Sequence, residues 1–161
     1  MFDYKKTWTP SNYQASASKE HIEELKKHIV KGSTLDLGCG SARWTGMFEG
    51  DYLGLDISPT SVNASRIQYP ERRFEIEDIV EWDTDKVYDN VLTWTVLQHV
   101  PTEVIEGVCE KIKKWGKNII IVESISSEEP SGYCFNHDYE KLLNVKKVAK
   151  IGPVTSIWRN I

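Results

Sequence analysis

The chain has no apolar run of about 18 residues, the length a helix needs to cross a bilayer. Its opening residues, Met1-Phe2-Asp3-Tyr4-Lys5-Lys6, hold no apolar stretch of the kind found in a secretory leader. Cysteine is scarce: Cys39, Cys109 and Cys134 are far apart and odd in number, which suits neither a disulfide framework nor a metal-ligand spacing. These absences predict a protein with free thiols in a reduced, cytoplasmic setting, with no membrane and no bound metal. Positive charge is also short, with 20 Lys and Arg against 24 Asp and Glu, and the basic residues are dispersed. A duplex nucleic acid partner asks for a basic face, so none is expected. There is no internal repeat and no low-complexity segment.

What is present is an ordinary globular composition, 161 residues of which 40% are hydrophobic. That length reads as one domain, 1–161, with an N-terminal segment and helix over 1–32 and a core over 33–161. The organising stretch is Thr34-Leu35-Asp36-Leu37-Gly38-Cys39-Gly40-Ser41-Ala42-Arg43. Leu35 and Leu37 supply strand positions, Gly38 and Gly40 allow a tight turn with the backbone open to a ligand, and Ser41 to Phe48 reads as a short helix. A second strand, Tyr52-Leu53-Gly54-Leu55-Asp56, ends in an acid that can accept hydrogen bonds from both hydroxyls of a ribose. A dinucleotide fingerprint would need glycine where Arg43 stands. Asp36, two residues before the first glycine, would repel a pyrophosphate and suit a cationic ligand.

Further along, apolar spacing predicts a helix over 16–30, capped by Ser16 or Ser18, with Ile22, Leu25, Ile29 and Val30 as its stripe. Ser58 and Pro59 begin a helix that Tyr69-Pro70 stops. Strands are expected over 73–77, 88–93 and 118–123, the last two apolar enough to be buried on both faces. Helices are expected over 101–115 and 137–143. Residues 145–151 and 154–158 read as strands whose short Gly152-Pro153 join allows only an antiparallel hairpin. The region 124–136 is an aperiodic loop at the carboxyl end of a strand, where sites of open α/β sheets lie.

Three stretches together resemble the class I S-adenosylmethionine-dependent methyltransferases: Leu35-Asp36-Leu37-Gly38-Cys39-Gly40-Ser41-Ala42, Leu53-Gly54-Leu55-Asp56-Ile57-Ser58, and Val91-Leu92-Thr93-Trp94-Thr95-Val96-Leu97-Gln98-His99-Val100-Pro101. The resemblance is firm over about 33–123 and looser beyond. It implies an α/β, Rossmann-like, seven-stranded sheet in the order 3-2-1-4-5-7-6, with helices on both faces and S-adenosylmethionine as cofactor. It implies cofactor contacts from Asp36, Gly38, Gly40 and Ser41, and from Asp56 and Ile57. Asp78 would meet the adenine amino group and the Ile79 amide a ring nitrogen; the alternative is that Asp78 merely caps its own turn. Trp94 matches the position that meets the methionyl part, or it is plain core packing. The aromatic N-terminus, with Trp8 and Tyr13, reads either as a lid over the cofactor or as cover for one edge of the core.

The acceptor side is less determined. His99, after the fourth strand, and His137, in the long loop, are each readable as a general base or as structural histidines. Tyr133 lies in the same loop and is expected beside the acceptor. His21 and His28, on the first helix, read as solvated. Amino-group DNA methyltransferases of this fold carry an acid or Asn, then Pro-Pro and an aromatic, after the fourth strand, whereas this chain has Trp94-Thr95-Val96-Leu97. Cytosine-C5 enzymes need a Pro-Cys nucleophile, and neither Cys109 nor Cys134 follows a proline. A small molecule, a sugar or a peptide end is therefore the expected acceptor, methylated on oxygen or nitrogen. A module that binds the cofactor and serves as a non-catalytic partner of another methyltransferase is the alternative.

Overall fold

The computed structural model describes residues 18–124, 134–151 and 155–160. Its seven strands are β1 (Thr34–Leu37), β2 (Tyr52–Asp56), β3 (Arg73–Ile76), β4 (Tyr88–Trp94), β5 (Gly116–Ser124), β6 (Lys146–Ile151) and β7 (Thr155–Arg159). They form one sheet in the order β3-β2-β1-β4-β5-β7-β6. β3, β2, β1, β4 and β5 run parallel, and β7 and β6 are antiparallel to their neighbours. The order and the terminal hairpin are those expected from the sequence.

Alternation along the strands splits the core between the two faces. Leu35, Leu37, Leu53, Leu55, Val91, Ile119 and Ile121 belong to one apolar cluster. Tyr52, Phe74, Leu92, Ile120 and Val122 belong to the other. Because both faces are covered, the central strands read as unbroken apolar runs. The first face is covered by α3 (Ile105–Trp115) and α4 (Tyr139–Leu143), the second by α1 (Lys19–Lys26), α2 (Pro59–Gln68) and the short 3-10 turn Thr45–Met47. α3 buries Ile105, Val108, Cys109, Ile112 and Trp115 along one side. Each of its larger apolar side chains contributes about 1.5–3 kcal/mol by burial.

The larger departures of the element boundaries from the sequence expectation lie in three places, beside shifts of a few residues at other ends. α1 ends at Lys26 rather than residue 30, because Asn90 in β4 accepts from the Val30 N–H (2.9 Å) and donates to its carbonyl (2.8 Å). No α-helix follows β1. Ala42 has φ 63°, and with Gly38 (71°) and Gly40 (54°) it places three left-handed residues within five, which an α-helix does not tolerate. What forms is the 3-10 turn Thr45–Met47, with Trp44 and Phe48 buried on either side of it. Residues 101–104 form a turn, and α3 begins only at Ile105.

At the amino ends of the strands two buried asparagines tie four elements together. Asn118 donates to the Asn90 carboxamide (2.9 Å) and to the His28 carbonyl (2.8 Å), and it accepts from Arg159 Nε (2.7 Å). The carboxyl ends are left to loops.

Candidate functional site

The turn after β1 is pinned to the end of β2. The N–H groups of Gly38 and Cys39 both donate to the Leu55 carbonyl, at 2.7 and 2.9 Å. Gly38 is required twice over, by its left-handed φ and because a Cβ there would lie 2.3 Å from Val96 Cγ2. Gly40 is different: among the described residues a Cβ there would meet nothing within 4 Å, so its outward side is open to them.

Asp56 stands beside that opening. Its carboxylate accepts from Gly40 N–H (2.9 Å) and from Ser58 N–H (2.8 Å). Burial raises its pKa, against the lowering effect of those two donors. Ile57 and Ser41 are half-buried on either side of this junction. Ser65 in α2 donates to the Gly40 carbonyl (2.9 Å) and locks the turn from below.

Asp36 differs from its expected exposure to a ligand. It is fully buried, and its carboxyl accepts from the Tyr52 hydroxyl at 2.6 Å; that hydroxyl in turn accepts from Thr45 (2.9 Å). Burial pushes Asp36 up to about 7, with Tyr52 opposing and Asp56 adding to the rise. Asp36 is therefore held inside the fold with Tyr52 and Thr45 and offers no surface to a ligand. Asp78 follows β3, beside the end of β2, and one of its oxygens accepts from Val80 N–H (3.0 Å) in its own turn, the capping geometry weighed from sequence. Ile79 next to it is buried in the core.

Trp94 ends β4, half-buried, and its ring stacks on Trp44 at 4.0 Å and 27°. His21 from α1 meets Trp94 edge-on at 5.7 Å, with its Nδ1 2.6 Å from Ser18 Oγ. His21 is thus half-buried against a candidate site residue rather than solvated. His28 is also drawn in, 3.3 Å from Glu24. Helical spacing gives no sign of the first contact, because Trp94 meets His21 from far along the chain.

His99 and His137 flank the turn after β4. His99 Nδ1 lies 3.6 Å from Cys134 Sγ, and His137 Nε2 donates to the Val100 carbonyl (2.9 Å). Burial lowers the His137 pKa, against the raising effect of its backbone contacts with Val100 and Leu97. Phe135 N–H donates to the Gln98 carbonyl (2.7 Å), completing the seam between the two loops. Trp8, Tyr13 and Tyr133 lie outside the described residues. The cysteines are free; burial raises Cys39 well above the ordinary thiol range and Cys109 up to about 12, so neither is a ready nucleophile. Among the described residues no group of three His, Cys, Asp or Glu is placed to hold a metal, and no helix is long and apolar enough to cross a membrane.

Glu123, at the end of β5, escaped notice in sequence. It is fully buried and accepts from the N–H groups of Val96 (3.0 Å) and Leu97 (2.9 Å). The available signal was an ionisable residue closing an apolar strand at the carboxyl edge.

This arrangement has counterparts among known proteins. The chain is 25% identical over 147 residues to (S)-tetrahydroprotoberberine N-methyltransferase of Eschscholzia californica, covering 81% of this chain and 40% of that protein. It is 29% identical over 104 residues to trans-aconitate 2-methyltransferase of Methylobacterium radiotolerans, covering 58% of this chain and 40% of that protein. The chain therefore spans well under half the length of these curated relatives. Its fold matches magnesium protoporphyrin IX methyltransferase of Synechocystis PCC 6803, solved with bound S-adenosylmethionine, at a TM-score of 0.68 and 15% identity, covering 97% of this chain and 86% of that one. Residues 34–118, more than half of the chain, match the model of the methyltransferase domain, and the chain belongs to that family.

Proposed function

We propose that this chain binds S-adenosylmethionine across the carboxyl ends of β1 to β4 and transfers its methyl group to a small molecule, a sugar or a peptide end, on oxygen or nitrogen. The observation that carries the reading is the junction of Gly40 and Asp56, where an open backbone position lies beside a carboxylate at the tip of the second strand. The residues present fit the cofactor. Asp56 has about four acceptor sites, so its two backbone donors leave room for ribose hydroxyls. Asp56 and Asp78, after the second and third strands, suit a cationic ligand, and the Synechocystis neighbour, of the same fold, is solved with this cofactor bound.

Bound there, S-adenosylmethionine supplies an electrophilic methyl on a sulfonium. The chain's part is to orient and to exclude water. Gly38, Gly40 and Ser41 form the floor, Asp56 and Ile57 the ribose side, and Asp78 and Ile79 the adenine side. Trp94, backed by Trp44, offers a ring face to positive charge. An amine or carboxylate acceptor needs little proton transfer, whereas a hydroxyl asks for a base. His99, after β4, and His21, against Trp94, are the histidines we assign to that role, each taking it up by releasing its present neighbour, Cys134 or Ser18. His137 is engaged with Val100, which suits bracing better than proton abstraction. Trp8, Tyr13 and Tyr133 complete the reading as lid and acceptor wall. Three free thiols and a net charge of −4 support a cytoplasmic enzyme without a duplex nucleic acid partner.

Calorimetry with S-adenosylhomocysteine and with NAD tests the cofactor. S-adenosylhomocysteine is expected to bind at micromolar strength and NAD not at all, with Asp56→Ala weakening the former by about 2–4 kcal/mol as charged hydrogen bonds to the ribose are lost. NAD binding in its place would overturn the reading. A panel of amine, carboxylate and hydroxyl acceptors, scored by S-adenosylhomocysteine release, then separates an enzyme from a module that only binds.

A further inference from the structure

We infer that Glu123 is a positioning residue for the cofactor turn, acting through the loop after β4; the inference rests on the cofactor reading above. β4 and β5 pair in register as far as Trp94 and Val122, and the Thr95 N–H donates to the Val122 carbonyl (2.8 Å). The chain then reverses at Thr95, which has φ 54°. This reversal turns the N–H groups of Val96 and Leu97 back toward β5, at the start of the 3-10 turn Leu97–His99, where backbone donors have no partner in the turn itself. One oxygen of Glu123 takes both, at 3.0 and 2.9 Å.

Held at its N–H, Val96 presses its β-branched side chain on Gly38, the first glycine of the cofactor turn. So the chain of contact runs from Glu123 to the Val96 backbone, to the Val96 side chain, to Gly38. A strand residue chosen for packing alone would be apolar, like Ile119, Ile120, Ile121 and Val122 before it. Instead the penultimate residue of β5 is a carboxyl with no exposure, set beside the buried Thr93 hydroxyl. A fully buried carboxyl is costly to desolvate, and such a group at the edge of a site points to function. Burial pushes the carboxyl up to about 8. The neutral group still offers a carbonyl oxygen to both donors, so acceptor geometry rather than charge is what the turn uses.

The test compares Glu123→Gln, which keeps length and a carbonyl oxygen, with Glu123→Leu, which fills the space and accepts nothing, and with Val96→Ala, which keeps the brace and removes its contact with Gly38. S-adenosylhomocysteine is titrated by calorimetry well below each melting midpoint. The near-ultraviolet circular dichroism of the stacked Trp44–Trp94 pair is read without ligand. Glu123→Gln is expected within threefold of wild-type affinity with an unchanged spectrum. Glu123→Leu should lose at least tenfold with an altered spectrum, and Val96→Ala should lose severalfold. Wild-type affinity in Glu123→Leu, or an equal loss in Glu123→Gln, would overturn the inference. If Glu123→Leu does not fold, unchanged affinity in Val96→Ala does the same. Wild-type protein that binds no S-adenosylhomocysteine would strike the cofactor reading instead, and the two spectra would still decide whether Glu123 sets the turn.

Discussion

Alanine at Gly38 and alanine at Gly40 should have unlike costs, although the two glycines are two residues apart and both left-handed. At Gly38 the added Cβ would lie 2.3 Å from Val96 Cγ2 and 3.0 Å from Cγ1, with φ 71°. The backbone conformation alone costs about 1–2 kcal/mol. Overpacking adds about 1–3 kcal/mol, because Val96 is stiff at χ1 and its N–H is held by Glu123, so it has little room to yield. The sum is about 2–5 kcal/mol. At Gly40, with φ 54° and nothing among the described residues within 4 Å, the backbone cost of about 1–2 kcal/mol remains. For a chain of this length about 2–4 °C is lost per kcal/mol, so Gly38→Ala should lower the melting temperature by about 4–20 °C and Gly40→Ala by about 2–8 °C. Val96→Ala, introduced into the Gly38→Ala background, should return part of the difference, and thermal unfolding of the three variants, of Val96→Ala alone and of the wild type measures it. Equal losses at the two glycines, or no recovery from Val96→Ala, would refute the reasoning.

Two other outcomes follow from the buried groups. Burial raises Asp36 from 3.8 to about 7 in the folded chain, so between those values the folded state keeps a proton that the unfolded state releases. The stability this group contributes is complete at acid pH and declines as pH climbs through 7; Asp36→Asn, which still accepts from Tyr52, should flatten that decline in urea midpoints taken at pH 5 and 7.5, and an unchanged slope would show that Asp36 is not its source. His137→Ala should cost about 1–3 kcal/mol by stranding the Val100 carbonyl while leaving S-adenosylhomocysteine affinity unaltered. Full stability with lost turnover would return His137 to the role of base.

Local pattern carried the sheet because both faces are covered: the runs in β4 and β5, the acid closing β2 and the short join before β7 each leave a mark within a few residues. The boundaries that went astray were set from a distance. Val30 was taken from a helix by Asn90, and Ala42 was bent by the turn that Leu55 anchors. The site divides in the same way. Gly38, Gly40 and Asp56 were legible by spacing, whereas His21 against Trp94 and Glu123 beneath Val96 join residues far apart in the chain, and no window of sequence records such a meeting.

The asparagine pair at the amino ends has a consequence for how this domain can vary. Asn90 and Asn118 fasten the tail of α1, β4, β5 and β7 by side-chain bonds within the sheet, on the side away from the proposed ligand. Strand register is thereby secured without help from the loops at the other end. Those loops can lengthen, shorten or be exchanged for others while the barrier to slippage stays in place. One edge of the sheet works as a clamp and the other as an interchangeable face, which lets a small domain take on a new acceptor without having to relearn its fold.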